Sequence, residues 1–438
     1  IAADRSLNPH IKEVKKVYQP IRFKSDNLKR GRLKVTNDFD FINLSDYTFS
    51  WFIKGDNKIV ASGKLGTLDL EAGDTRTLTF NLSSVRPKQG VRYFLTVQAK
   101  TKFKKPLIPK NYLVAWDQFE LPIYKELKPL DPSSFSSINL FKNELNTEVY
   151  GKRFKVVFNH ETGQLSEYVR DGFPLLSKPV KPHFWRAPND NDLGNGMPAR
   201  TKIWKEADER FSTISVKSEL NNNTAEIIFV SADSLSSSTL TSQYFIYGNG
   251  AIKISQTLDV QDSTVSEIPR FGLKLSMSGK FDQVSWYGRG PHESYWDRKT
   301  SAAIGHYSGT VWEQSFPYVR PQETGNKTDI FWMAVTNGSQ GLMAKGFPIF
   351  DGSVHQYPYE DLDYVAGSQR HGNLDINKKD HLDWLIDYKQ MGVGGDNSWG
   401  ARTHSKYTIF PGKYNFSIML IPFDNENNLS QLSKLKFE

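Results

Sequence analysis

Residues 127–137 read Leu-Lys-Pro-Leu-Asp-Pro-Ser-Ser-Phe-Ser-Ser, which gathers proline and serine into a segment that suits neither a strand nor the interior of a helix. The whole chain has 438 residues, more than one hydrophobic core usually supports. We therefore predict a domain boundary here, with a linker over 127–137.

The chain before this boundary is a series of short apolar or alternating runs separated by turn signals. Examples are Thr48–Ile53, Arg76–Phe80 and Tyr93–Val97. Seven or so short strands at such spacing are typical of an immunoglobulin-like β-sandwich, which we predict over 17–126.

The chain after the boundary keeps the β pattern but in longer runs, such as Phe154–Phe158, Ala225–Val230 and Ala251–Leu258. Residues 138–438 contain no second break, which favours one large antiparallel sandwich over two small ones. Short helical turns are predicted at Pro198 to Glu206 and at Leu429 to Leu435. Because aromatic residues make up 13% of the chain and helical apolar repeats are short, the predicted fold class is all-β.

Charge and composition exclude several classes of protein. The net charge of +8 comes from 56 basic and 48 acidic residues spread along the chain, which does not predict binding to nucleic acid. The absence of cysteine removes disulfides and thiolate metal sites. Apolar runs are too short to cross a bilayer. The sequence begins at Ile1, with neither an initiator methionine nor a signal peptide. We expect a soluble chain, cut from something longer.

Residues 391–399 read Met-Gly-Val-Gly-Gly-Asp-Asn-Ser-Trp and set an indole beside three glycines. Glycine lets a loop turn sharply, and Asp396, Asn397 and Ser398 can hydrogen-bond locally to hold it. This composition suits a loop that presents Trp399 as a flat face to a sugar. The alternative is a tight hairpin turn whose tryptophan caps the core.

A second motif joins aromatic residues to Arg186 and then to alternating asparagine and aspartate over 189–192. One interpretation is an Asx-rich turn in which Arg186 pairs with one of the aspartates. The other is ligation of a cation or a sugar by oxygen, with Asp190 and Asp192 as speculative metal ligands. An EF-hand is rejected, because the glutamate at its twelfth position is missing.

A third motif, residues 286–299, contains two carboxylates, Glu293 and Asp297, that resemble the acid pair of a retaining glycosidase. We favour ion pairs that hold a turn, with Asp297 beside Arg298 and Glu293 close to Arg289.

Histidines open one further alternative, a proton-transfer site of the sugar-epimerase kind. Such a site needs a histidine pair and a carboxylate around one pocket, and the candidates are His292, His306, His355 and His371.

Taken together, these motifs resemble the C-terminal part of the large β-galactosidases of glycoside hydrolase family 2. The matching stretches fall in the family's order along the chain. They are Asp4–Arg5 with Asn8–His10 and Glu13–Lys15, Arg186–Asp192, Gly288–Tyr295 with Asp297–Arg298, Pro317–Val319 with Pro321–Glu323, and Gly392–Trp399.

The resemblance implies a specific organisation. Residues 1–16 would be a tail that follows a (β/α)8 barrel, which holds both catalytic glutamates and is absent from this chain. The large sandwich over 138–438 would be a β-supersandwich of the galactose mutarotase type, and Trp399 would reach the active site as part of the galactoside-binding platform.

The resemblance also implies cofactors and partners for the parent enzyme. These are a divalent cation, Mg²⁺ or Ca²⁺, and in some members Na⁺, although Arg320 stands where an apolar residue supplies a backbone ligand to sodium. The expected partners are a β-galactoside and the barrel of the same polypeptide, with a homo-oligomeric, cytoplasmic or periplasmic parent also compatible.

The sequence therefore predicts a non-catalytic C-terminal part of a retaining β-galactosidase, in which no catalytic residue lies in this chain. The alternatives are a stand-alone carbohydrate-binding module and a mutarotase-like module.

Overall fold

A computed structural model of the chain describes residues 1, 4–363, 376–397, 399–425 and 427–437. It divides into two compact units. The smaller unit comprises residues 1–128 with 303–306, and the larger unit comprises residues 129–302 with 307–438.

The smaller unit begins with a helix, α1 (His10–Val17), inside the segment that we assigned to a tail. Its strands then form two antiparallel sheets in the orders β1-β2-β5 and β4-β3-β6-β7. The strands are β1 (Ile21–Asn27), β2 (Arg32–Asn37), β3 (Tyr47–Gly55), β4 (Lys58–Gly66), β5 (Thr75–Thr79), β6 (Tyr93–Thr101) and β7 (Leu113–Glu120).

The core of the smaller unit lies between these two sheets. Phe23 of β1 packs edge-to-face against Phe49 of β3, with ring centroids 6.3 Å apart. On β2, Leu33 and Val35 are buried while Lys34 between them is exposed, which is the period of two that places alternate side chains in a core. The unit is the predicted immunoglobulin-like sandwich.

The larger unit contains the remaining strands and four short helices. Its strands are β8 (Asn139–Lys142), β9 (Asn146–Tyr150), β10 (Phe154–Asn159), β11 (Gln164–Arg170), β12 (Phe173–Pro174), β13 (Lys178–His183), β14 (Ser212–Asn221), β15 (Thr224–Asp233), β16 (Ser238–Tyr247), β17 (Ile252–Val260), β18 (Arg270–Met277), β19 (Gln283–Gly290), β20 (Ala303–Thr310, of which residues 307–310 belong to this unit), β21 (Lys327–Thr336), β22 (Gln340–His355), β23 (Leu382–Gln390) and β24 (Lys413–Asp424). Its α-helices are α2 (Asp190–Gly194), α3 (Met197–Arg200), α4 (Ala207–Arg210) and α5 (Leu429–Leu432).

The strands of the larger unit form a five-stranded sheet, β12-β11-β10-β9-β8, and a twelve-stranded sheet. The main path of the larger sheet is β13-β18-β23-β22-β24-β17-β16-β15-β14, and β19, β20 and β21 branch from it. Alternate residues of β15 and β17 are buried, so each strand offers one face to the core. Phe158 of the small sheet packs on Tyr244 of the large one at 4.8 Å between centroids. This is the expected large sandwich.

The pairing of three strands fixes where the site forms. His183 of β13 pairs with Gly272 of β18, and Gly272 pairs with Asp387 of β23, both in antiparallel fashion. Two successive antiparallel pairings make β13 and β23 parallel. The segments that follow His183 and Gln390 therefore leave the sheet at the same end.

The predicted helical turns are present but shorter than expected. The segment from Pro198 to Glu206 holds part of α3 and a 3₁₀ turn, Lys202–Trp204, and the C-terminal segment holds α5.

Candidate functional site

Residues 391–399, here called the Trp399 loop, follow β23 directly and lie against the segments that follow β13 and β19. Three sequence motifs separated by more than 90 residues thus meet at one place. Hydrogen bonds from side chains of the other two motifs fix the backbone of this loop.

Arg186 anchors the start of the loop from inside the protein. Its guanidinium has no exposed surface, and Nη2 donates to Asp192 Oδ1 at 2.6 Å. Nη1 donates to the carbonyl oxygens of Met391 and Gly392, the second at 3.1 Å. The predicted pairing of Arg186 with an aspartate is confirmed, and the partner is Asp192.

Asp192 is itself held by the turn that begins α2. Asn189 Oδ1 accepts from the backbone N–H of Asp192 at 2.8 Å, and Asp192 Oδ2 accepts from the N–H of Asn189 at 3.0 Å. This reciprocal capping box satisfies two backbone donors at the helix start. Hydrogen bonds within this Asx-rich segment therefore fix the position of the Asp192 carboxylate, and this carboxylate orients Arg186.

The carbonyl oxygen and the N–H of Val393 are both hydrogen-bonded to side chains outside the loop. The side-chain amides of Asn189 and Asn191 donate to the Val393 carbonyl at 3.1 and 3.2 Å. On the other side, the Asp297 carboxylate accepts from the N–H of Val393 at 3.0 Å and from that of Gly394 at 2.8 Å. A charged acceptor for two backbone donors is a strong tie.

Close approach of neighbouring atoms, and not a left-handed backbone, explains the glycines at positions 392 and 395 of the loop. A Cβ on Gly392 would lie 2.4 Å from Thr403 Oγ1 and 2.7 Å from Asp297 Oδ2. A Cβ on Gly395 would lie 2.4 Å from the Ala401 carbonyl oxygen. Any side chain at these positions would push the loop away from the groups that hold it.

The tip of the loop is held by its own polar side chains. Asn397 Oδ1 accepts from the N–H of Trp399 at 2.9 Å, and Asp396 Oδ1 lies 2.8 Å from His404 Nε2. Ser398 lies outside the described residues. Trp399 is 91% exposed, so the alternative in which this tryptophan caps the core is wrong.

The carboxylates of the third motif have other partners than predicted. Glu293 is buried and accepts from Arg298, Tyr318 and the N–H of Gly325, whereas Arg289 pairs with Asp329. Asp297 is bonded to the Trp399 loop and not to Arg298. The prediction of ion pairs at Glu293 is thus confirmed in kind and corrected in partner, and that at Asp297 is wrong.

The residues proposed as cation ligands do not fit a cation site. Both oxygens of Asp192 are occupied by Arg186 and by a backbone N–H, and Asp190 is exposed with Arg320 at 3.1 Å. Over the residues that the structure describes, no three His, Asp or Glu side chains are grouped so that they could hold a metal ion.

Two histidines contact the same tyrosine, but not as an epimerase site would require. The rings of His183 and His355 each lie 5.5 Å from the ring of Tyr359. His355 Nε2 is 3.0 Å from Ser353 Oγ, and burial together with Arg270 lowers the pKa of His355 to about 3. His355 is therefore an internal, neutral residue. Of the other candidates, His371 lies outside the described residues.

A buried ionic network behind the site was not predicted from the sequence. Arg270 Nη2 donates to Glu323 Oε2 at 2.9 Å, and its Nε lies 3.2 Å from Asp387 Oδ2. Tyr359 donates to Glu323 and accepts from the N–H of Ala187 at 2.9 Å. Burial raises the pKa of Asp387 well above its ordinary value. The network supports the segment that carries Arg186. Its one charged member within a sequence motif is Glu323, of the stretch Pro321–Glu323.

Comparison with known proteins identifies the family of this chain. A family model described as the β-galactosidase small chain matches residues 150–420, and one described as β-galactosidase domain 4 matches residues 33–122. The chain belongs to the β-galactosidase small-chain family. The resemblance stated from the sequence is thereby confirmed.

Similar β-galactosidases are much longer than this chain. That of Priestia megaterium is 34% identical over 94% of this chain and 39% of its own length. That of Psychromonas ingrahamii is 28% identical over 95% of this chain and 41% of its own length. The chain spans about two fifths of the curated relatives it matches. Among the described residues, no helix has the length and apolar character needed to cross a membrane.

Proposed function

We propose that this small-chain region completes the sugar-binding pocket of a retaining β-galactosidase whose catalytic carboxylates lie outside the chain. The observation that supports this most is the contrast between a fully exposed indole and the buried anchors beneath it. Trp399 is 91% exposed, while Arg186 and Asp192 below the loop are almost completely buried.

An exposed tryptophan on a fixed loop is suited to contact something outside its own unit. Tryptophan is enriched at binding interfaces, where its large ring supplies apolar contact area and its N–H a polar contact. One face of an indole packs well against the CH groups of a pyranose, and a fixed loop loses little conformational freedom when it binds.

The role of the other loop residues is to position this indole. Arg186 holds the carbonyl groups of Met391 and Gly392, and Asp297 holds the N–H groups of Val393 and Gly394. Asn397 holds the N–H of Trp399. These residues orient a substrate contact and move no proton. A positional error of about 1 Å at a substrate contact can cost about a hundredfold in rate.

The carboxylates of this chain are poorly placed for glycoside hydrolysis. Retaining enzymes use two carboxyl groups about 5–5.5 Å apart that both face the sugar. Glu293 is buried under Arg298 and Tyr318, and Asp297 is bonded to two backbone N–H groups. We therefore assign acid–base and nucleophilic chemistry to another part of the parent protein.

Hydrolysis of a nitrophenyl β-galactoside tests the proposal. We expect no turnover by this chain alone and turnover by the full-length parent. Turnover by the isolated chain that a Glu293→Gln substitution abolishes would overturn the proposal, because it would place a catalytic carboxylate here.

A further inference from the structure

A small cavity of the larger unit has a lining that does not include Trp399. It has a volume of about 70 Å³ and is lined by His183 and Trp185, which end and follow β13, by Lys205 and Asp208, by Lys274 of β18 and by Asp363. None of the sequence motifs accounts for this combination of side chains.

His183 is the informative residue of this cavity. It is 6% exposed, and its Nε2 is buried without a hydrogen-bond partner among the described residues. A buried polar atom that finds no partner costs roughly 1–3 kcal/mol. Burial and the nearby Arg270 lower the pKa of His183 well below its ordinary value, so the ring is neutral. A neutral imidazole nitrogen can donate to or accept from a hydroxyl.

Each lysine around the cavity is engaged by a carboxylate. Lys205 pairs with Asp363 at 2.6 Å, Lys274 pairs with Glu360, and Lys181 pairs with Glu209 and also lies 3.8 Å from Asp208. An anionic ligand would have to displace a carboxylate from its lysine, and a cationic ligand would lie close to the lysine ammonium groups. A neutral ligand would do neither.

The walls of the cavity offer several polar atoms to a neutral ligand. Asp363 Oδ1 accepts from the indole N–H of Trp185 at 3.1 Å, and Lys205 lies over the Trp185 ring at 5.6 Å. Asp208 is only loosely paired, and burial raises the pKa of its carboxyl group. Carboxylate, ammonium and imidazole groups that converge on a small space are suited to bind adjacent hydroxyl groups.

The size of the cavity limits what enters it. A cavity of about 150 Å³ holds a benzene molecule, so about 70 Å³ is too small to enclose a six-membered ring. It has room for two hydroxyl-bearing carbons, with the rest of the ligand outside.

We infer that this cavity is a second binding site, which takes a neutral vicinal diol at the edge of a sugar or of a small polyol through His183 and Asp208. The inference does not rest on the role proposed for Trp399. Its two sources of ligand, a saccharide and a free polyol such as glycerol, share this chemistry.

The test is titration of the Trp399→Ala chain with D-galactose and, separately, with glycerol, followed by the ¹⁵N resonance of His183 Nε2. The Trp399→Ala background removes binding at the loop. We expect a saturable shift of this resonance, and a loss of affinity of at least fivefold in Asp208→Asn. The matched control is Asp259→Asn, a partly exposed carboxylate 3.9 Å from Lys413, which should leave the titration unchanged.

The two titrations distinguish the sources. Saturation by galactose alone assigns the site to a saccharide, and saturation by both, with similar affinity, assigns it to a free polyol. A His183 resonance that neither compound moves, or a shift that Asp208→Asn leaves intact, would overturn the inference. The test does not use a His183 variant, because replacing this buried ring would disturb the packing around it. It depends on Asp208→Asn and on the His183 resonance itself.

Discussion

Asp297 Oδ2 accepts a hydrogen bond from the backbone N–H of Gly394 at 2.8 Å, across 97 residues of sequence. Its other oxygen accepts from the N–H of Val393 at 3.0 Å. One side chain at the end of the third motif therefore sets the path of the loop that presents Trp399. Asp297, which by its spacing from Glu293 resembles half of a catalytic acid pair, is thus bonded to the backbone of this loop.

The first prediction concerns Asp297→Ala in the full-length parent. Hydrogen bonds to charged groups contribute about 1.5–3 kcal/mol each, and this substitution removes two. We expect KM for a nitrophenyl β-galactoside to rise roughly tenfold with a smaller change in kcat, because we propose that the catalytic carboxylates lie outside this chain. Steady-state kinetics measures both. A large fall in kcat with an unchanged KM would assign Asp297 to the chemical step and contradict this account.

The second prediction concerns the buried pair of Arg186 and Asp192. Arg186→Met leaves a buried carboxylate without its charged partner, which typically costs 3–5 kcal/mol. Urea unfolding should show this loss, and Asp192→Asn on the same background should restore part of it. Arg153→Met is the matched control, since Arg153 is 56% exposed and its pair with Asp171 is worth at most about 1 kcal/mol. Equal losses in the two arginine variants would contradict the assigned role.

The third prediction concerns pH and Asp351. Burial, and then the charge of Asp329, raise the pKa of Asp351 to about 7. The folded state therefore keeps a proton that the unfolded state loses above its ordinary pKa, so stability falls as pH rises from about 4 to 7. The cost above pH 7 is at most about 4 kcal/mol, at 1.4 kcal/mol for each pKa unit.

Asp351→Asn tests this, because an amide oxygen can still accept from the N–H of Asp329, 3.0 Å from Asp351 Oδ1. We expect the variant to be more stable than the native chain at pH 8 and nearly equal to it below pH 4. The lowered pKa of His355 changes the stability with pH in the opposite direction. This contribution is the same in both proteins, so it cancels when their free energies of unfolding are subtracted. Urea unfolding at both pH values measures it, and a variant that is less stable at pH 8 would refute the assignment.

Features fixed by local sequence were predictable. The two sandwiches follow from strand length and alternation, and the pairing of Arg186 with a nearby aspartate follows from the short, Asx-rich segment between them. The capping box at Asn189 needs only residues three apart. In each case the interacting groups are close along the chain, so the sequence limits their partners.

Features fixed by strand register were not predictable. Arg289 lies in β19 and reaches Asp329 in β21, so it is unavailable to Glu293, which pairs with Arg298. The tie between Asp297 and Gly394 likewise depends on which strands adjoin. Spacing along one chain carries no information about such neighbours, and the network of Arg270, Glu323 and Asp387 was missed for the same reason.

We propose above all that Trp399 is a substrate contact supplied to a pocket whose catalytic carboxylates lie outside this chain. Its most direct test is the binding of a galactose-derived competitive inhibitor to the full-length parent and to its Trp399→Ala variant. Trp312→Ala, a partly exposed tryptophan of the same unit, is the control. The account predicts a loss of roughly thirtyfold, about 2 kcal/mol, in the Trp399 variant and no loss in the control. Unchanged inhibitor binding in Trp399→Ala would contradict it.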